Sequence, residues 1–472
     1  MEDLKKQLKI HLKKDYFLEA SKTASELDVK LYIVGGYVRD FLLNRERDEI
    51  DFLVLGKGIA FAETLAQRLN VNKVTVFKNF GTAHFRYKEL NFEFVGARKE
   101  SYDRNSRKPI VEDGSFDEDI QRRDFTINTL AVSLNAEDYG EIIDKYNGIE
   151  DIHAKIIKTP LNPLETFNDD PLRIMRACRF ASQLGFEVAE DIREAASRMA
   201  DRLLIVSKER ITDEFIKIIE SDRPSSGLIL LYETGVMKVI FPEVAEMAGV
   251  DQRKDYHHKD VFYHTCEVID NIVPNTNNTW LRMAALLHDI GKPATKRFVE
   301  GTGWTFHGHE EIGARMVKGI FKRMKFPFAK IEYVENLVRL HLRPIALVSD
   351  EVTDSAIRRL IVSSGESLDD LITLCRADIT SKNKNKVNRY LNNYNLVMEK
   401  VKEVEEKDKL RAFQSPVRGD EIMEICGLKP GKKVGIIKKA IEEAILDGEI
   451  ENTYEAAYSY LFTIKEKLGK NN

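Results

Sequence analysis

The segment LYIVGG, residues 31 to 36, sets a short β-favouring run against two glycines, and YVRDFLLN comes directly after with helical spacing. Strand, glycine turn and helix in immediate succession commit this part of the chain to an α/β layer. Gly35 and Gly36 carry no Cβ, so an anion such as a phosphate can approach the backbone there, and the next helix N-terminus offers free N–H groups and a positive dipole end. Arg39 is expected to add a mobile positive charge. By itself a glycine pair before a helix is an ordinary turn. The neighbouring strand narrows the choice: in EIDFLVL the two-residue period puts Glu49 and Asp51 on one face. LNFEFVGAR then sets Glu93 between Phe92 and Phe94 on another strand-like run, a candidate third carboxylate. Hard oxygen donors suit Mg²⁺. Taken alone, a solvated strand face accounts for the same alternation.

A chain of 472 residues exceeds what one hydrophobic core serves, and about three compact units are expected. Its 73 basic and 77 acidic side chains leave a net charge of −4, so a nucleic-acid partner would need local basic patches. Cys178, Cys266, Cys375 and Cys426 are far apart and form no CxxC pair, which argues against a disulfide framework or thiolate zinc site and fits a reducing cytoplasm. The N-terminal segment mixes Lys with Glu and Asp and holds no apolar run of spanning length, so neither export nor membrane insertion is expected. The periodicities divide the chain into an amphipathic helix over 1–28, an α/β head over 29–158, a helical neck over 159–250, a histidine-rich helical region over 251–386 and a solvated helical tail over 387–472. After the head the chain should be all-α.

GGYVRD, E-I-D and the apolar-Glu-apolar strand resemble the signature of the polymerase-β-type nucleotidyltransferase superfamily. IQRRDFTINTLA at 120 to 131, NGIEDI at 147 to 152, DDPLRIMRACRFA at 169 to 181 and SKERITDEF at 207 to 215 narrow the likeness to bacterial-type (class II) tRNA nucleotidyltransferases, through head and neck. The resemblance implies an α+β fold: a polymerase-β-like head, then an all-α neck, an HD-type helical domain and a helical tail. It implies template-independent addition of CMP and AMP, from CTP and ATP, to the 3′ end of tRNA. Glu49 and Asp51 would hold two Mg²⁺ ions, activating the attacking 3′-hydroxyl and neutralising the leaving pyrophosphate, with Glu93 in support. Gly35, Gly36, Arg39, Arg123 and Asp124 would meet the nucleotide, Arg122 and Arg123 lying where triphosphate oxygens would be. One departure stands out: the family's first metal ligand is usually Asp, and here it is Glu49.

In DDPLRIMR the acidic residues lie at the N-cap side, Pro171 suits a first helical turn, and Arg173, Arg176 and Arg179 recur every three residues. Cytosine and adenine both present an amino donor beside a ring-nitrogen acceptor. Asp170, an acceptor, with Arg173, a donor, would complement that edge and repel guanine and uracil. The family implies this role for the pair, with Arg176 beside it. Asp169 stands where the family commonly has Glu, and Glu209 with Arg210 matches a motif that steadies this helix; a plain surface pair is the other reading.

WLRMAALLHDIGKPATKR ends an apolar helix on His288 and Asp289, with Gly291 and Pro293 as stop signals. His264, His288, Asp289 and Asp378, in that order, resemble the ligands of HD phosphohydrolases. His307, His309 and His341 could add a second metal, imidazole suiting Mn, Fe, Co, Ni or Zn. His257 and His258 read as loop residues, His11 and His84 as packing or surface residues. The tail over 415 to 450 resembles the tRNA-contacting region of these enzymes, its lysines supplying local positive charge. No protein partner is evident. The competing readings are a poly(A) polymerase, whose Gly-basic-basic-Phe run is replaced here by FKNFGTAHFRY, a partial enzyme adding only CC or only A, and an HD phosphohydrolase or RNA-binding protein with an inactive head.

Overall fold

The computed structural model describes residues 2–77, 81–101, 110–250, 260–301, 303–347, 353–381, 383–408 and 415–469. His257 and His258 lie outside them. Contacts divide the chain into two compact units, Met1–Pro242 and Glu243–Asn472.

The first unit opens with two helices, Glu2–His11 and Asp15–Glu26, where the periodicity suggested one. Lys14 takes an extended backbone (φ −62°, ψ 136°), and Asp15 puts a carboxylate at the new N-terminus, where the helix dipole favours it. Among the described residues over 29–143 there are nine strands: β1 (Lys30–Val34), β2 (Glu49–Leu55), β3 (Thr75–Phe77), β4 (Thr82–Tyr87), β5 (Leu90–Gly96), β6 (Arg98–Ser101), β7 (Ile110–Asp113), β8 (Ala131–Ser133) and β9 (Ile142–Ile143). Seven of them form one sheet in the order β3-β4-β5-β2-β1-β8-β9, and β6 pairs with β7 apart from it. β2 and β5 run parallel at its centre, and the remaining neighbours are antiparallel.

Strand alternation decides what each face carries. Phe52, Phe92 and Phe94 are fully buried on one side, where Phe52 stacks on Phe94 at 4.9 Å between centroids and 7° between planes. The residues between them, Asp51 and Glu93, therefore point to the other side. Leu53, on that same side, joins Val34, Ala97, Ile120 and Ala131 in a second small core, so the carboxylates sit at its edge.

From residue 144 on, the regular elements among the described residues of the first unit are helices apart from one two-residue pairing, Ile156–Ile157 at the end of the head with Glu187–Val188. The helix Pro163–Asp169 begins at an Asn162 cap with proline in its first turn. The helix Leu172–Leu184 ends on Gly185 in the left-handed conformation (φ 66°).

The second unit is built from helices, among them Val261–Ile272, Thr279–Leu287, His309–Met324, Ile331–Leu340 and Leu368–Ala377. It is not all-α: a hairpin, Arg297–Val299 with Gly303–Thr305, interrupts it. The apolar helix Thr279–Leu287 does end with His288 at its C-cap, and a separate short helix, Lys292–Thr295, follows. The last three helices, Gly419–Cys426, Lys432–Leu446 and Tyr454–Gly469, close around their own small core of Val417, Ile422, Ile437, Ile441, Ile445, Ala457 and Leu461. No helix among the described residues is long and apolar enough to cross a membrane.

Candidate active site and metal clusters

The parallel pairing of β2 with β5 sets Asp51 directly opposite Glu93, and Glu49 lies two residues back on the same face. One carboxylate oxygen from each falls within 4.8 Å of the other two, a group able to hold a cation. The antiparallel register of β1 with β2 places Val34 opposite Asp51. Gly35 and Gly36 thus leave β1 beside the acidic cluster, and a Cβ on Gly35 would stand 3.6 Å from Asp51 Oδ2 and 2.9 Å from Arg123 Nη1. Burial pushes the Asp51 carboxyl up to about 6, with Glu49 and Glu93 adding to the rise and Arg47 and Arg123 opposing it.

The cations around this cluster are arranged differently from the sequence expectation. Arg39 is not a mobile charge. It is buried, gives Nε and Nη2 to the two Asp40 oxygens at 2.8 Å each and Nη1 to Asn128 Oδ1 at 2.7 Å, and lies 4.9 Å over the Phe180 ring. Arg123 does reach the diglycine, steadied by Asp119 at 3.1 Å. Arg122 shares that carboxylate, its Nη2 at 2.5 Å from Asp119 Oδ1. Arg47, which sequence reasoning passed over, gives Nη2 to Glu49 Oε2 at 2.6 Å and Nη1 to Asp40 Oδ2 at 3.1 Å. The only signal for it was the charge-dense run NRERDEID.

Asp124 and Arg176 are brought together with each other. Asp124 is buried and accepts from Arg176 Nε at 2.7 Å and from Asn128 Nδ2 at 2.9 Å. Although burial works against it, Arg176, Asn128 and Arg173 hold its carboxyl well below the usual range. Arg179, expected on the same stripe, is buried against Glu214 at 3.2 Å, and burial lowers it to about 10. The stripe is therefore an internal ion-pair ladder, not a solvated face.

Asp170 and Arg173 sit at the junction of the helices Pro163–Asp169 and Leu172–Leu184. Asp170 Oδ1 accepts from Leu172 N at 3.1 Å, and its Oδ2 lies 3.3 Å from Arg210 Nη2. Arg210 thus meets Asp170, while Glu209 is exposed in the first turn of Lys208–Ile219. Arg173 is buried, giving Nη1 to Thr166 O at 3.3 Å and Nη2 to Arg122 O at 2.5 Å. Both residues thus have partners within the protein, and a base edge would have to draw Arg173 from two carbonyls.

In the second unit His264, His288 and Asp378 form one group of potential metal ligands, and Asp289, His309 and His341 form another. The two meet: His288 Nε2 lies 3.2 Å from Asp289 Oδ2, and Asp289 Oδ1 lies 3.3 Å from His309 Nε2. Asp378 Oδ1 lies 2.9 Å from His264 Nε2. His309 and His341, which the sequence offered only as additions, belong to the cluster; His307 is exposed and outside it.

Helix ends supply the positions. His288, His341 and Asp378 are C-cap residues and His309 opens its helix. The Nδ1 atoms of His288, His309 and His341 lie 2.7, 2.8 and 2.6 Å from the carbonyls of Ala285, Phe306 and Val338. A carbonyl only accepts, so each Nδ1 carries the hydrogen and Nε2 is left facing the centre. Those three Nε2 atoms are buried without a hydrogen-bond partner, which a cation would remedy. Burial works to lower His288, but Asp289 and Asp378 outweigh it and push it up to about 10, so the carboxylates call for positive charge here. Gly291 makes the packing possible, since a Cβ there would meet His309 O at 2.2 Å.

Comparison with known proteins agrees with this geometry. Family models described as "Poly A polymerase head domain", "Probable RNA and SrmB- binding site of polymerase A" and "HD domain" match residues 31–158, 185–247 and 257–380. An A-adding tRNA nucleotidyltransferase of Deinococcus radiodurans is 30% identical over 436 residues, 90% of this chain and 93% of that protein. The chain belongs to the tRNA nucleotidyltransferase family. A CC-adding tRNA nucleotidyltransferase of Thermus thermophilus is likewise 30% identical, over 91% of this chain and 92% of its own length. The match to the A-adding enzyme of Aquifex aeolicus, 34% identical, spans 64% of this chain and 35% of that protein. Among solved structures, a tRNA nucleotidyltransferase complexed with a primer tRNA and an incoming ATP analogue superposes with a TM-score of 0.57 and 26% identity, over 80% of this chain and 99% of that one. The α+β fold, with polymerase-type head and HD domain, is that of its family.

Proposed function

We propose that this tRNA nucleotidyltransferase adds CMP and AMP, from CTP and ATP, to the 3′ end of tRNA in the cytoplasm. The observation that carries the reading is the meeting of Glu49, Asp51 and Glu93 within 4.8 Å beside the diglycine turn. Three carboxylates are a hard oxygen donor set that fits Mg²⁺. Bound there, the cations would supply charge neutralisation for the attacking 3′-hydroxyl and the departing pyrophosphate. The chain's own residues orient the substrates: Gly35 leaves the backbone open, and Arg123 stands beside it with its charge directed at the turn.

Residues 159–250 act as a neck that presents Asp170 and Arg173 to the incoming base, and 387–472 act as a tail for tRNA. For the first role Arg173 exchanges the carbonyls of Thr166 and Arg122 for the base, while Arg210 keeps Asp170 in place. Arg176 and Asp124 support that helix from inside rather than touching the nucleotide.

The second unit holds a separate metal-dependent phosphohydrolase centre. The buried Nε2 atoms of His288, His309 and His341, with His264, Asp289 and Asp378, fit one or two divalent transition ions. Bound there, such ions would lower the pKa of water and polarise a phosphoryl oxygen, and the resemblance points to 2′,3′-cyclic phosphates and phosphomonoesters as substrates.

A narrower reading has its own support, because relatives matching 90% and 91% of this chain carry the names A-adding and CC-adding. Purified protein with Mg²⁺, labelled CTP or ATP, and tRNA ending before CCA or after CC separates the cases. Full addition extends both substrates to CCA. A CC-adding enzyme stops two residues along, an A-adding enzyme uses only the CC-ending tRNA, and no extension of either sinks the reading.

A further inference from the structure

We infer that Arg47 grips the triphosphate of the incoming nucleotide, exchanging the Glu49 carboxylate for a phosphate oxygen as the nucleotide loads. The assignment rests on the nucleotidyltransferase reading of this site. Its first support is position. A Cβ on Gly36 would meet Arg47 Nη1 at 2.1 Å and Cζ at 2.8 Å, so the missing side chain at Gly36 makes room for a guanidinium directly on the turn that an anion approaches. The second is the state of its donors. Nη2 is given to Glu49 and Nη1 to Asp40, while Nε is buried with no hydrogen-bond partner.

The third support is the second duty of the group that holds it. Arg39 is bound by Asp40 and Asn128, and Arg123, which like Arg47 keeps a buried Nε without a partner, is steadied by Asp119. Arg47 is held chiefly by a carboxylate with a second duty, since Glu49 belongs to the cation-holding group. A Glu49 oxygen engaged by a cation no longer needs the guanidinium, and the triphosphate brings fresh anionic oxygens to the same turn. The planar fork of an arginine suits bidentate contact with phosphate.

The test is equilibrium dialysis of labelled CTP, ATP and CMP against the full chain with Mg²⁺ and no tRNA, so that no transfer occurs. With a charged hydrogen bond lost, Arg47→Ala should weaken CTP and ATP binding about tenfold or more and leave CMP unchanged, and Arg47→Lys should recover part of the loss. If Arg47→Ala does not fold, Arg47→Gln is read by the same comparison of CTP with CMP. Unchanged CTP affinity, or equal weakening of CTP and CMP, would overturn the assignment of Arg47 alone. Wild-type protein that binds neither CTP nor ATP would overturn the nucleotidyltransferase reading and this one with it.

Discussion

At the scale of single residues, the acidic cluster was legible and its counter-ions were not. Period-2 alternation is enough to put Glu49 and Asp51 on one face, and the apolar neighbours Phe92 and Phe94 declare which way Glu93 must turn. Which arginine meets the cluster depends on long-range partners: Arg39 is claimed by Asn128, 89 residues away, and no local pattern reports that. Two predictions belong here. Glu49→Asp, which restores the family's usual ligand, should retain nucleotide addition, and complete loss of incorporation would mean that the longer arm is required. The second concerns pH. The Asp51 carboxyl is raised from 3.8 to about 6, so between these values the folded protein, freed of metal by a chelator, holds a proton that the unfolded chain has released. Stability contributed at this site therefore falls as pH rises through that window. Thermal melts of chelated wild type and Asp51→Asn should show the mutant gaining on the wild type across it; parallel curves would mean that Asp51 titrates normally.

At the scale of elements, the helix Leu172–Leu184 shows most clearly what spacing can and cannot give. Spacing alone yields a capped helix with arginines every three residues; the arginines are there, but the N-cap is Pro171, without a side-chain cap, and Asp170 Oδ1 accepts from the Leu172 N–H instead. It does not yield that Arg176 and Arg179 turn inward to Asp124 and Glu214, because those partners come from other elements. Arg173 likewise holds two carbonyls, so removing it disturbs packing as well as any base contact. Selectivity, not rate, is the diagnostic measurement. Asp170→Ala and Arg173→Ala should each admit UTP and GTP, with each lost charged hydrogen bond costing roughly 1.5–3 kcal/mol. Slower addition with discrimination intact in both would make this helix a structural support only. The N-terminal break at Lys14 was illegible for a simpler reason: Leu8, Leu12, Tyr16 and Phe17 are all buried and continue an apolar pattern across it.

At the scale of the whole molecule, the order of motifs along the chain foretold a head followed by a histidine-rich helical region, and ligand membership was the part that needed coordinates. His309 and His341 join the cluster while His307 does not, because helix starts and ends, not sequence proximity, bring imidazoles to one centre. Since the head carboxylates and this cluster belong to different compact units, their activities should be separable. A double change of His288 and Asp289 to Ala should remove hydrolysis of 2′,3′-cyclic phosphates and phosphomonoesters supported by Mn²⁺, Co²⁺ or Ni²⁺ and leave CMP and AMP addition largely intact. If the wild type hydrolyses none of these, the region is an RNA-binding scaffold.

The most direct test of the central claim is CMP incorporation into tRNA lacking its 3′ end by wild type and Asp51→Ala, with tRNA binding followed on the same preparations. Asp51 faces Glu93 across the parallel strands and adjoins the diglycine, so its removal takes one of the three carboxylates from the group able to hold a cation. The expected result is full incorporation by the wild type, none detectable by Asp51→Ala, and equal tRNA affinity. Normal turnover by Asp51→Ala would place the chemistry elsewhere in the molecule.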